Sequence, residues 1–585
     1  MATENIRLIY LTDLDHCQPQ SALSTRAKRG HWRTLEYKTD GFSGAIVIAG
    51  DLTGAPEIVY PLRREGWYAI SIGVMHQHRF DLWTQVKLSG DPTFSLLALR
   101  PELERVGRIT GSPGRWAANI QELFWKVADL TGQDIIFTQL CLQKGLEDEP
   151  GVERYAKSAI AYIKLTPLSA DQVSALHADR QRSDTRRLFA HNDATSYQCS
   201  YLVTTAEDIQ REIEPFRDTD FSRLYWEAAY GDLLAYLGEA GRLPTYDGVD
   251  DFFLVHERQC AHSWRVFRDQ GIDQLKVATD YAHQIGLELH AGVRMAGFYF
   301  NPWAEDTFNS GSIYYQRQEH RGMARDGSLN PRLSYAYPET RTYMLSVLRE
   351  IAQYPVDGIG LLYVRRPPLL DYEPPLVQGF MAEYGQDPRL LDERDPRWLA
   401  YRCRVLTGFM KDVRQMLDAE AQRQGRGRFE ISVVVSGREE ENLFNAMDLP
   451  TWIAERLVDT VIPYTMAPRL NSAMEAWPDP RDLNYWLSLT HGTRCTLAPN
   501  LLPRFQSQEE YRRKADAMYA AGAKNLFFWD CNNRASYNAP WDTLRRLGHR
   551  EEIAAWMQAG QPALPPAFTL LRELGGWNMT YDTPG

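Results

Sequence analysis

Residues 355–375 read PVDGIGLLYVRRPPLLDYEPP, and the reading of this stretch decides the fold. It opens on a turn, Val356-Asp357-Gly358, and passes straight into residues 359–364, which carry no charge. An uninterrupted apolar run bounded by a turn suits a strand buried on both faces, as in a parallel sheet. The run stops at Arg365-Arg366-Pro367-Pro368, and Asp371-Tyr372-Glu373 follows. A buried strand that releases arginines, carboxylates and a tyrosine at its C-terminal end has the pattern of the active face of a β/α barrel.

The flanking sequence repeats that pattern. From residue 188 onward strand, loop and helix alternate. The predicted strands are 188–190, 223–226, 287–291, 359–364, 429–435, 458–462, 495–498 and 525–529. Helix signals lie between them: Thr205-x-x-Asp208 and Ser507-x-x-Glu510 as capping boxes, Pro338 at a first helical position, and Gly286 and Gly522 as stops. Eight such units fit a (β/α)8 TIM barrel. A doubly wound open sheet is the competitor, but no strand is followed by a G-x-G-x-x-G or Walker-type loop.

The remainder of the chain is organised differently. Residues 1–170 carry short strand-like runs without long helices between them, and Leu82, Thr84, Val86 and Leu88 alternate with Trp83, Gln85 and Lys87. That period predicts an antiparallel sandwich, jelly-roll-like, with a docking or carbohydrate-binding role. Residues 171–187 read as a linker, 188–534 as the barrel, and 535–585 as a helical extension on the outside of the barrel.

Composition narrows the partners. At 585 residues the chain is too long for a single core. Its net charge of −11 argues against nucleic acid or an anionic membrane as partner. Seven scattered cysteines without a C-x-x-C exclude a disulfide framework or a zinc motif and point to a reducing compartment. Neither a signal peptide nor a membrane-spanning run is visible, so a cytoplasmic location is expected, with a clipped secretory signal as the alternative.

If the barrel is right, chemistry lies at the strand C-termini. There the sequence collects Asp193, Glu227, Asp232, His290, Arg294, Arg365, Arg366, Asp371, Glu373, Arg438 and Asp530, with Trp226, Tyr363, Tyr464 and Trp529. Carboxylates among aromatics and amides, with neither phosphate loop nor metal-ligand spacing, suit glycosidic bond hydrolysis, which needs one protonated and one ionised carboxyl. The expected catalytic pair is Glu373 and Glu227. Asp193, His290, Arg294, Tyr363, Arg365, Tyr464, Asn500, Trp529 and Asp530 are the expected sugar-binding residues. No cofactor and no metal are expected. Each candidate has a plainer role: Glu227 pairing with an arginine, Glu373 as a solvated loop carboxylate, Asp193 in an Asx turn, Asp530 capping a turn, His290 as a core histidine. The long segment 301–328 after the third strand is expected to cover part of the cleft.

At this point the chain resembles the bacterial glycosidase-like barrel proteins, the family 10 glycosidase-like or hypothetical glycosyl hydrolase group. The resembling pieces are LYWEAAYGD (224–232), LELHAGVRM (287–295), VDGIGLLYVRRPP (356–368), DYEPP (371–375), EYGQDPR (383–389), ENLFNAMDLPTW (441–452), APNLLPR (498–504) and NLFFWD (525–530). The resemblance implies a TIM barrel and a carbohydrate substrate. It also marks a departure: relatives carry an aspartate inside the fourth strand, and here Leu362 stands at that position. The rival functions are a non-catalytic glycan-binding barrel, and a metal-dependent hydrolase or deacetylase using Asp193, His290 and Asp530.

Overall fold

The computed structural model describes residues 8–50, 53–76, 82–99, 119–139, 157–200, 203–249, 252, 255–297, 311–364, 367–464, 480–501, 507–531, 538–560 and 568–579. Eight parallel strands form the central sheet: β1 (Leu188–Asn192), β2 (Phe221–Tyr230), β3 (Glu288–Arg294), β4 (Gly358–Leu362), β5 (Glu430–Ser436), β6 (Thr460–Tyr464), β7 (Thr496–Leu497) and β8 (Leu526–Phe528). They run in the order β7-β6-β5-β4-β3-β2-β1-β8. The ends of that series meet, because Phe527 donates its N–H to Pro499 at 3.0 Å and accepts from Leu501 at 2.9 Å. The arrangement is TIM-barrel-like. β1, β4 and β6 are buried at every residue, as strands covered on both faces must be.

Helices built from the expected signals support the strands. Thr205 and Asp208 form a reciprocal capping box, Asp273 caps the helix Gln274–Gln284, and Pro338 opens the helix Pro338–Ile351. Inside the sheet, side chains at alternate positions pack as an inner cluster that includes Phe189, Tyr225, Leu362, Val434, Ile462, Phe527 and Trp529. Two glycines of the opening stretch make room for it. A Cβ on Gly358 would lie 2.6 Å from the His290 ring, and one on Gly360 2.8 Å from the Tyr225 ring. Bulkier side chains there would push both rings off the axis.

Eleven N-terminal strands, with three from the C-terminal tail, form a separate, mostly antiparallel network with its own apolar core. The runs predicted there, 45–49, 57–62, 67–74, 81–88, 94–99, 122–128, 135–140 and 159–165, each overlap an observed strand, and Ile9–Leu11, Leu23–Ser24 and Trp32–Lys38 are additional. The module meets the barrel where Arg211 donates to Gln85 at 3.0 Å and Thr93 donates to the Glu207 carbonyl at 3.0 Å.

Two expectations are corrected. The stretch read as a linker contains the helix Ala170–Arg180, opened by a capping box from Ser169 and Gln172. The C-terminal extension is only partly helical: after Asn538–Leu544 and Arg550–Gln558 come strands Phe568–Leu570, Glu573–Leu574 and Trp577–Asn578. These strands do not lie on the barrel. Phe568–Leu570 pairs with Asn119–Asp129, and Glu573–Leu574 with Trp32–Lys38. Between the two helices, buried His549 ties the tail in place, bonding Asp220 and Asp179 at 2.8 Å each.

Candidate active site at the strand ends

The period-two alternation of the strands sets which residues reach the mouth. In β2 it aims Tyr225 and Glu227 inward; in β3, His290 and Arg294; in β4, Leu362; in β6, Tyr464. Glu227 is fully buried there. It accepts two bonds from Arg294, at 2.7 and 2.8 Å, and faces His191 Nε2 at 2.7 Å. Burial alone would raise the Glu227 carboxyl, but the Arg294 guanidinium and the His191 bond outweigh it and hold it below its ordinary value.

His191 is the hub of the cluster. Its ring stacks on Trp529 with centroids 3.8 Å apart and planes 14° off parallel. Its Nδ1 faces the Asp530 carboxylate at 3.7 Å. Burial opposes charge on the imidazole, yet the bonds and charges of Asp530 and Glu227 prevail and its pKa is raised. Asp530 follows β8 with a φ of +50°, a left-handed conformation that aspartate tolerates better than most residues. Asp193, at the end of β1, is only partly covered and accepts from the Thr195 and Ser196 amides at 3.2 and 2.9 Å. Desolvation, then the charges on Asp530 and Glu227, push its carboxyl up, and the bonds from Ser196 only partly offset this. Arg294 also lies over the Tyr230 ring at 4.8 Å.

Asp193, Glu227, Arg294, Trp529 and Asp530 therefore stand together. Tyr464 joins them edge-on to Trp529 at 5.2 Å, and the Asn500 side chain accepts the Trp529 amide at 3.3 Å. Three other residues stand elsewhere. Tyr363 points outward, away from the mouth: it packs on Trp452, and its hydroxyl meets the Met410 sulfur at 3.0 Å. The alternation that turns Leu362 inward turns its neighbour to the helices. His290 lies deeper, against Tyr225, with Nδ1 3.2 Å from the Ser432 hydroxyl; burial and then Arg223 keep it neutral. Among the described residues no group of three or more His, Cys, Asp or Glu is placed to hold a metal ion. Arg365 lies outside the described residues.

Glu373 is the third displacement. Its partners are the amides of Asp371 at 2.9 Å and Met323 at 3.4 Å, and it is 1% exposed. Those groups belong to the loop after β4 and to the hairpin of Arg321–Met323 and Leu329–Leu333. They do not overlap with the bonding partners of Glu227. Burial raises the Glu373 carboxyl to about 7, against a smaller lowering by backbone bonds. The described part of the long segment after β3 is anchored by Asp232, which accepts from the Ile313 amide at 2.9 Å; residues 301–310 of that expected cover lie outside the described residues.

His191 was absent from the residues expected at the site. The signal for it was available: Phe189, His191 and Asp193 share one parity, and Asp193 was already placed at the mouth.

Comparison with known proteins follows the same division. Residues 256–478 match the model of the family described as glycosyl hydrolase-like 10. No curated protein matches. Among solved structures, the glycoside hydrolase domain of PgaB (BpsB) from Bordetella bronchiseptica is 13% identical, covering 63% of this chain and 97% of that one, at a TM-score of 0.38. The catalytic domain of a beta-amylase from Paenibacillus polymyxa is 10% identical, covering 63% and 99%, at 0.40. The glycoside hydrolase domain of a PelA variant from Pseudomonas aeruginosa is 12% identical, covering 59% and 96%, at 0.31. The family match takes in Arg294, Glu373 and Tyr464 and stops short of Asp193, Glu227 and Asp530. Over residues 256–478 the chain is similar to the glycosyl hydrolase-like 10 family, the resemblance that its motifs carry.

Proposed function

We propose that this protein is a glycoside hydrolase that cleaves an oligo- or polysaccharide by a two-carboxylate mechanism at the barrel mouth. The unit responsible spans residues 188–534, behind a sandwich-type module of residues 1–170. The observation that carries the reading is the convergence of Glu227 and Asp530 on His191, with Asp193 beside them. In that cluster desolvation and the neighbouring carboxylates favour the protonated form of Asp193, which is assigned the role of general acid. Asp530 is assigned the role of nucleophile or base. Glu227, with both oxygens engaged, orients Arg294 and His191 rather than attacking the sugar. Trp529 and Tyr464 offer aromatic edges to the sugar ring, and Asn500 sets the Trp529 backbone. Glu373 has a positioning role, fixing the hairpin of residues 321–333.

The test is hydrolysis of an oligosaccharide panel by the wild type and by D193N, D530N and E373Q. Losing a positioned acid or base costs about 100-fold or more in kcat/KM, which is the expectation for D193N and D530N. A nitrophenyl glycoside, whose leaving group needs no proton, should restore D193N and not D530N. E373Q should retain most of the wild-type rate. Wild-type turnover by D530N would remove the assignment.

One observation favours a second reading, a glycan-binding barrel without catalysis. Leu362 is 1% exposed within the apolar inner cluster, where the resembling proteins have an aspartate. Panel binding without cleavage by the wild type would select it.

A further inference from the structure

A cleft of about 480 Å3 lies away from the mouth, where the N-terminal module, the barrel and the C-terminal tail meet. Its walls come from the strand Asn119–Asp129, the helix Ala170–Arg180, the turn of residues 214–218 and the end of the helix Asn538–Leu544. That turn precedes β2, so the cleft sits by the N-terminal end of the barrel strands, opposite the carboxylate cluster. The geometry points to a second carbohydrate site here, one that holds a neutral oligosaccharide without cleaving it. The inference rests on the glycan-hydrolase reading for the choice of ligand and on the cleft alone for its place.

Three features of the lining fix the ligand class. Trp67 and Phe124 are both partly exposed, and each has a guanidinium nearby: Arg180 lies 5.8 Å from the Trp67 ring and Arg545 5.2 Å from the Phe124 ring. Aromatic rings beside charged hydrogen-bonding groups suit a ligand with apolar CH faces and a rim of hydroxyls. Next, each of the five basic residues of the lining already has a carboxylate partner. Lys126 bonds Asp91 at 2.6 Å, Arg180 pairs with Asp218 at 3.0 Å, and Arg217 with Glu214 at 2.9 Å. On the tail, Arg545 pairs with Asp542 at 3.1 Å and Arg546 with Asp179 at 3.0 Å. A charged ligand must break one of these pairs, whereas hydroxyls can bridge carboxylate and guanidinium without disturbing either. Last, the volume falls within the range of about 300–1,000 Å3 usual for small-ligand sites, enough for a short oligosaccharide.

Binding to a neutral sugar at such a site depends little on ionic strength, because no net charge is neutralised. This separates it from an anion site.

The experiment uses the full chain carrying D530N, titrated calorimetrically with cellotetraose, chitotetraose and mannotetraose. At least one should bind, and W67A should weaken that binding about tenfold, equivalent to about 1.4 kcal/mol. S95W, which fills the cleft from a partly exposed position without removing a core side chain, should abolish the same binding if W67A does not fold. In the otherwise wild-type chain, S95W should leave tetrasaccharide hydrolysis unchanged. Absence of binding by all three sugars, or binding that neither variant alters, overturns the inference. Tighter, salt-sensitive binding of tetragalacturonate overturns the neutral class. Cleavage without cleft binding removes only this site, and cleft binding without cleavage removes only the hydrolase reading.

Discussion

Glu227 and Glu373 are both buried glutamates beside a barrel loop, and their surroundings drive them in opposite directions. Glu227 has a guanidinium on both oxygens and an imidazole on one, so it stays ionised with no exposed surface. Glu373 meets backbone amides and the Ser334 side chain rather than a guanidinium, and its carboxyl rises to about 7. Burial is common to both, so the neighbouring cation decides the charge. A carboxylate locked by arginine organises a site, while one buried without a counter-ion favours its neutral form.

The largest expected effect comes from removing the cation. In R294M, Glu227 loses its guanidinium counter-charge and keeps only the His191 bond, and truncating one partner of such a buried pair costs about 3–5 kcal/mol. Urea unfolding at pH 7 reads this directly. The double variant E227Q/R294M should recover most of the loss, because the stranded charge has gone. If R294M alone costs less than about 1 kcal/mol, in the range of a surface pair, the comparison with Glu373 collapses.

Glu373 should show the converse through pH. Its folded pKa of about 7 lies above the ordinary 4.5, so the unfolded chain ionises first as pH rises. Below pH 4.5 both states are protonated and the group has no effect. Between 4.5 and 7 stability is progressively lost, up to about 3 kcal/mol at 1.36 kcal/mol per unit. E373Q cannot ionise, so its stability relative to the wild type should rise across that window. At pH 8 it should exceed the wild type by about 1–3 kcal/mol, the loss of one backbone bond offsetting part of the gain. Parallel curves for the two proteins would mean that Glu373 is ionised in the folded state.

The eight strands were legible because a strand buried on both faces is an apolar run between turn residues. The same continuity hid what the site needed. Within residues 359–364 no polar residue marks the parity, so Leu362 and Tyr363 could not be told apart, and Tyr363 was expected at the mouth. β1 was expected to stop at Ala190, but it continues through buried His191 and Asn192. Ending a strand where its apolar run ends therefore left out the hub. Sequence distance likewise says nothing of the hairpin that encloses Glu373. The tail strands of two or three residues carry too little pattern to reveal partners more than 400 positions away.

The smallest effect probes that parity directly. Tyr363 is 1% exposed, and its hydroxyl has the Met410 sulfur as a partner, a weak acceptor. Removing the hydroxyl in Y363F leaves the ring packed on Trp452 and costs within about 1 kcal/mol, the net worth of an ordinary hydrogen bond. Because the ring faces the helices, KM for every oligosaccharide that the wild type cleaves should not move. Y464F, altering a ring edge-on to Trp529, is the matched control on the inner face. A rise in KM for Y363F with none for Y464F would exchange the inner and outer faces of the barrel, and with them Leu362 and the whole charged cluster.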